Sequence, residues 1–427
     1  MSNNVNISKK KLYMWEKLFD NSFLLTILLF IVTVGLYIGQ IQIYQYMLLL
    51  TLCFCSISFF RVIIVSKTCF NIWIVLVIIF AHTTIVNIFQ ECFQMNYFLK
   101  MIALVILSLG LSQIRSEQIS FKRYLFVMQI AVAISCFIAI GQSLQMEWAI
   151  NVWIDRYFDN SYRSNELLSY IRLGRAAGVT TYSLDLGFQI VQIFPFCILM
   201  ISSEKTKKAS WMYYLLFVIV LGGCVSTGTR MALLVCLFQL LVLFVLKKKF
   251  SSSHMGKIVF MGIVSLLLII ILSANSSIID NIIIRFMEFT NESNSANDPR
   301  IVTYLHYIKT LFNMSQINWI FVCVYGSMNL YKGANTLGSG HNMIVSGLFE
   351  FGIIGIILLV LLYSRLLRYL FRFKEDLIAK SIGFGIIGYL ITSLTNDSCI
   401  LFADFFHILF LIIAIGYVEY KEKKITV

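Results

Sequence analysis

Apolar residues run through this chain in long, nearly unbroken blocks separated by short polar stretches. A helix needs about 20 apolar residues to cross the hydrocarbon core of a bilayer. The blocks predict spans at about 22–39, 43–60, 69–90, 97–114, 124–145, 179–202, 211–225, 230–246, 257–273, 342–363, 379–395 and 398–418, with ends good to about 2–4 residues. The one-by-one alternation of a transmembrane barrel is absent. The pattern therefore predicts an all-α, polytopic integral membrane protein with about 12 transmembrane helices, residues 1–427 forming one multi-span domain. The first apolar run has no small-residue cleavage site after it and reads as an anchored helix.

Two connections are long. The first covers 146–178 and the second 274–341. In the second, Ile278, Ile279, Ile282, Ile283, Phe286 and Met287 recur at helical spacing and predict an amphipathic helix lying at the membrane surface. Asp298 and Pro299 suit the cap and first position of a further helix from Arg300 to about Phe312. Arg300, Tyr304 and Tyr307 share one stripe of it.

Composition agrees with a lipid solvent. The chain is 59% hydrophobic, with a mean hydropathy of +0.84, against about 45–50% apolar in soluble domains. Its ten cysteines are scattered, mostly within apolar runs and without a CxxC pair, and read as small buried hydrophobes.

The net charge of +13 would suggest nucleic acid in a soluble protein. With the N-terminus in the cytoplasm, 24 of the 34 basic residues fall on cytoplasmic segments, as the positive-inside rule requires. Both termini are then cytoplasmic and both long loops extracytoplasmic. No nucleic-acid partner is needed, and the basic segments would lie against anionic membrane lipids. A phosphate-binding GxxxxGK[ST] loop is absent and the cytoplasmic connections are short, so the working surface is expected outside.

Most of the ten outward basic residues are arginines, whose planar fork suits phosphate. Arg172 and Arg175 precede the sixth span in RLGRAAGVTTYSLDLG, and Arg230 closes STGTR between the seventh and eighth. A charge at a membrane boundary is costly and marks function, or else it snorkels from a helix end. His341 and Asn342 lie in GSGHNMIVSGLFEFGIIG at the mouth of the tenth span, where a neutral imidazole can accept a hydroxyl proton. Glu350 in the same stretch either pairs with an arginine or serves the site, and Gly352 and Gly355 allow close helix packing. His82 and His407, within apolar spans, read as satisfied buried residues. Metal-ligand spacings such as HExxH do not occur, so no metal is expected.

Taken in order, RAAGVTTYSLDLG, STGTR and Arg300–Tyr304 followed by GSGHNMIVSGLFEFGIIG resemble the O-antigen polymerase and O-antigen ligase superfamily. The motifs cover about residues 172–356, and the topology covers the whole chain. Tyr304 departs from the tryptophan common in that family, though a tyrosine can still stack on a sugar. The resemblance implies a GT-C-like, all-helical glycosyltransferase of the bacterial inner membrane with a periplasmic active site. Its substrate would be an oligosaccharide on undecaprenyl pyrophosphate, its partners a flippase and a chain-length regulator, and it would need no cofactor. It assigns Arg175, Arg230 and Arg300 to the pyrophosphate, Arg172, Tyr304 and Asn342 to substrate binding, and His341 to proton removal. A polymerase is favoured over a ligase that transfers glycan to lipid A core. A lipid-linked oligosaccharide flippase is the rival from another class, but the internal repeats expected of transporters are not found.

Overall fold

The computed structural model describes residues 2–38, 41–58, 65–89, 95–113, 118–157, 164–172, 174–201, 207–246, 343–373, 375–394 and 405–426. These residues are almost entirely helical. The helices, in chain order, are α1 (Ser2–Thr33), α2 (Ile43–Ser58), α3 (Lys67–Phe89), α4 (Met95–Gln113), α5 (Gln118–Ser143), α6 (Glu147–Tyr157), α7 (Ser164–Arg172), α8 (Ser183–Ile201), α9 (Lys207–Ser226), α10 (Arg230–Leu246), α11 (Met343–Arg372), α12 (Leu377–Ser393) and α13 (Phe405–Thr426). Four described stretches, Lys67–Ile85, Ser120–Ser143, Ser183–Ile201 and Gly352–Arg372, are long and apolar enough to cross a membrane, and shorter apolar helices accompany them. The protein is an all-α membrane protein. The expected ninth span at 257–273, both amphipathic helices of the second long loop, Arg300, Tyr304, His341 and Asn342 lie outside the described residues.

Several boundaries move for local reasons. Helix α1 ends at Thr33, short of the expected 39, because Gly35 adopts φ +82°. A side chain there would strike the Tyr157 ring, 2.6 Å from its nearest atom. A two-residue hairpin follows, β1 (Tyr37–Ile38) against β2 (Ile41–Gln42), with Tyr37 facing Gln42. The sixth span begins at Ser183 rather than 179. Asp185 accepts a hydrogen bond from the Tyr182 N–H at 3.2 Å, and the Asp185 N–H returns one to the Tyr182 carbonyl at 3.1 Å, which caps α8. The first long loop contains helices α6 and α7.

The chain divides into two compact units. One comprises Met1–Ser58, Ser116–Thr290 and Glu375–Tyr389. Within it α8 is the central element: every side chain from Leu186 to Ile201 is buried. It is enclosed by protein rather than by lipid, because α5, α9 and α10 pack on it. Glycines set the closest approaches. A Cβ at Gly223 of α9 would run into Cys136 of α5, and one at Gly187 of α8 would meet Ala232 of α10 at 3.2 Å. Cys136, Cys197, Cys224 and Cys236 are all buried here as small packing residues. On α10 the opposite face exposes Leu234, Leu237, Phe238 and Leu241, the side that lipid would cover in a bilayer.

The second unit comprises Phe59–Arg115, Asn291–Lys374 and Leu390–Val427. Ser66 caps α3 by accepting from the Cys69 N–H at 3.2 Å. The buried Glu419 carboxylate of α13 accepts in turn from the Ser66 N–H (3.0 Å) and hydroxyl (2.5 Å). Lys423 bridges Glu419 at 3.2 Å and the Ser112 carbonyl, near the end of α4, at 2.6 Å. A buried carboxylate persists only with such partners. His407 is buried and hydrogen-bonded to the Tyr363 hydroxyl at 2.7 Å, as a satisfied core histidine should be, whereas His82 is half-buried. Gly352 is buried and also breaks α11: φ 62° and ψ −177° lie in a region essentially closed to other residues.

Candidate functional site

The arginines that the sequence singles out on either side of α8 and α9 are organised by one polar junction. It lies where α5 ends, α9 ends and α10 begins. The strap between α7 and α8, Gly174–Tyr182, passes through it.

The strap starts from a tight helix stop. Gly174 has φ +84°, its N–H donates to the Ile171 carbonyl at 3.0 Å, and the Arg175 N–H donates to the Tyr170 carbonyl at 2.9 Å. These two bonds form a Schellman motif. They place Arg175 immediately beyond the turn, exposed, with its guanidinium 5.3 Å from the centre of the Tyr170 ring. Stacking on an aromatic face orients the planar group. Arg172, the last residue of α7, is also exposed, and its carbonyl accepts from Gln145 at 3.3 Å.

Gln142 of α5 then clamps the strap. Its Oε1 accepts from the N–H groups of Ala177 (3.0 Å) and Gly178 (2.8 Å), and its Nε2 donates to the carbonyls of Gly178 (2.9 Å) and Ala149 (3.1 Å). All four hydrogen-bonding positions of the amide are filled, with the side chain fully buried. Gly178 is required twice over. Its φ is +63°, and a Cβ would collide with the Ser135 carbonyl and hydroxyl of α5. The Ser135 hydroxyl accepts from the Val179 N–H at 3.1 Å.

The Ala176 N–H donates to the Ser226 carbonyl at 3.1 Å, and the Ser143 hydroxyl donates to that same oxygen at 3.2 Å. The residue after Arg175 is therefore tied to the last residue of α9. Thr227 and Gly228 follow: the buried Thr227 hydroxyl bonds back to the Cys224 carbonyl at 2.7 Å, and Gly228 turns the chain at φ +60°. Arg230, half-buried, is then the first residue of α10. A helix start offers free N–H groups and a positive dipole end, which favour an anion.

Two residues that sequence reasoning left unassigned complete the junction. Arg156 of α6 is buried and donates to the carbonyls of Val32 (2.7 Å) and Val34 (3.5 Å), capping the C-terminus of α1. Burial lowers its pKa from the usual arginine value. Tyr157 donates its hydroxyl to the Val179 carbonyl at 3.0 Å, and burial raises its pKa. Both were legible only as members of a long loop. Arg156 is thus a structural cap and not a ligand-facing cation.

The described part of the site therefore holds Arg172, Arg175 and Arg230 on one junction, with backbone bonds linking the strap of Arg175 to the turn of Arg230. A guanidinium is the side chain best suited to a two-pronged bond with a phosphate group. No protein-family model matches this chain, and no curated protein is significantly similar to it in sequence.

Proposed function

We propose that this protein is a polysaccharide polymerase of the bacterial inner membrane. In this reading it joins undecaprenyl-pyrophosphate-linked repeat units of O-antigen or capsule on the periplasmic side. It has about twelve spans in a GT-C-like arrangement, both termini in the cytoplasm, and needs no cofactor or metal.

One observation carries the reading: Arg175 and Arg230, each in a motif that resembles the polymerase and ligase superfamily, are held on one junction by the Ala176–Ser226 bond. In the reaction the acceptor hydroxyl attacks the anomeric carbon of the lipid-linked donor, and the bond to the pyrophosphate breaks. Negative charge develops on the leaving pyrophosphate, where fixed guanidinium donors stabilise it. Arg175 and Arg230 take that role together with Arg300. The hydroxyl proton passes to His341. Arg172 and Asn342 bind substrate, and Tyr304 offers a ring to a sugar.

A deletion strain tests the assignment against its rivals. Loss of a polymerase leaves lipid A core carrying single repeats and no ladder. Loss of a ligase leaves bare core with polymer stranded on the carrier lipid. Loss of a flippase leaves bare core with single units on the cytoplasmic side. One gel of core glycoforms beside carrier-lipid extracts distinguishes the three, and bare core with long carrier-linked polymer would sink the polymerase reading.

A further inference from the structure

Helix α8 carries Pro195 within its run. Proline has no amide proton, so the carbonyl four residues earlier, that of Val191, loses its helical partner. Val191 is wholly buried, and no water reaches it. The Nε2 of Gln239, on α10, lies 3.0 Å from that carbonyl oxygen and 2.9 Å from the carbonyl of Phe384, on α12. The two amide protons thus serve carbonyls on two other helices. Gln239 is 2% exposed, and its Oε1 has no partner among the described residues. Turning the amide over would set its oxygen against two carbonyl oxygens, so the donor half is the part in use. Gly388 of α12 makes the space: a Cβ there would strike Gln239 Nε2 and come within 3.0 Å of the Val191 oxygen.

We propose that Gln239 supplies the hydrogen-bond donor that Pro195 removes from α8, and that this bond sets the register of α10 on α8 and so positions Arg230. The register needs two points of contact. Near the start of α10, Thr229 and Ala232 close on Gly187, and the Thr229 hydroxyl reaches the Ser183 carbonyl at 3.4 Å. Further along, Gln239 holds Val191. One contact alone would let α10 pivot; two fix the helix that begins with Arg230. Gln239 is a positioning residue. Its effect on Arg230 rests on the glycosyltransferase reading, whereas the hydrogen bond to Val191 does not.

The test is a double-mutant cycle on the full chain in lipid nanodiscs. Gln239→Met keeps length and volume but removes the donor. Pro195→Ala restores a backbone N–H to the Val191 carbonyl. Gln239→Met should lower the unfolding temperature, and its effect should fall to roughly half or less in the Pro195→Ala background. Equal losses in both backgrounds overturn the proposal. Gly388→Ala drives a methyl group into the same amide and provides a second entry to the cycle should Gln239→Met fail to insert. It should destabilise the chain alone but add little to Gln239→Ala. In cells, polymer per inserted molecule should fall with Gln239→Met and stay low when Pro195→Ala is added, because the double variant satisfies the Val191 carbonyl without tying α10 to α8. Polymer that recovers together with stability overturns the positioning of Arg230. A wild-type chain that makes no polymer removes the glycosyltransferase reading, and the thermal cycle still decides the hydrogen bond.

Discussion

Arg175 and Arg156 are both outward arginines by sequence, yet they have different roles. Arg156 is buried with its guanidinium on the carbonyls of Val32 and Val34, so its charge is used internally. Arg175 is exposed over Tyr170, and Arg230 is half-buried at a helix start. The difference predicts different mutant behaviour. Arg175→Ala and Arg230→Ala should each reduce polymer synthesis by about 10²–10³-fold, the usual consequence of removing a donor to a developing oxyanion. Lysine should rescue either position poorly, because it lacks the planar fork. Arg156→Ala should act through stability. Polymer measured per inserted molecule decides: full polymer from Arg230→Ala would exclude it from the site, and Lys248→Ala, in a basic segment that the positive-inside rule puts in the cytoplasm, is the silent control.

At the scale of elements, the strap between α7 and α8 is the critical piece. Its conformation depends on a buried amide of α5 as well as on its own glycines. Gln142→Leu removes both donors and both acceptors that Gln142 offers to Ala149, Ala177 and Gly178. Each buried group left bare costs about 1–3 kcal/mol. The expected result is a marked fall in unfolding temperature in detergent, accompanied by loss of polymer. Gly178→Ala should do the same through strain at φ +63° and collision with Ser135. An unfolding temperature unchanged by Gln142→Leu would mean that the strap is not held in this way.

For the whole molecule, the distribution of basic residues predicts the side of the membrane on which the site works. A cysteine placed at Ser293, in the second long loop, should react with a membrane-impermeant thiol reagent in cells whose outer membrane alone is permeabilised. Labelling only after the inner membrane is opened would invert the topology and move the site to the wrong side for lipid-linked substrate. On the proposed mechanism, purified protein with lipid-linked repeat units should keep its activity in excess chelator, since guanidinium groups would carry the charge stabilisation that a metal otherwise supplies. Activity lost to chelator and restored by Mg²⁺ or Mn²⁺ would replace that mechanism.

Hydropathy by itself determined that the chain is a helical membrane protein, and roughly where its long apolar described helices lie, but not α6 and α7, which fall in the first long loop. The reason is that a membrane imposes one requirement on every residue of a span, and that requirement is written locally. α10 begins at Arg230 as the sequence predicted, because a glycine turn and an apolar run bound it directly. Arg172, Arg175 and Arg230 stood out for a similar reason: a charge beside a long apolar run differs from its surroundings, while Arg300 lies outside the described residues. What only the tertiary structure decided are partnerships across distant parts of the chain. Nothing near Arg156 in sequence says that it will cap α1, more than a hundred residues earlier. In the sequence Gln142 and Gln239 are single polar residues within apolar runs. Their roles depend on carbonyls and N–H groups that belong to other elements of the fold, left unpaired by a glycine turn in one case and by Pro195 in the other. A hydrogen bond of that kind has no periodicity and no local signature, because the group it satisfies is exposed only once the helices have packed.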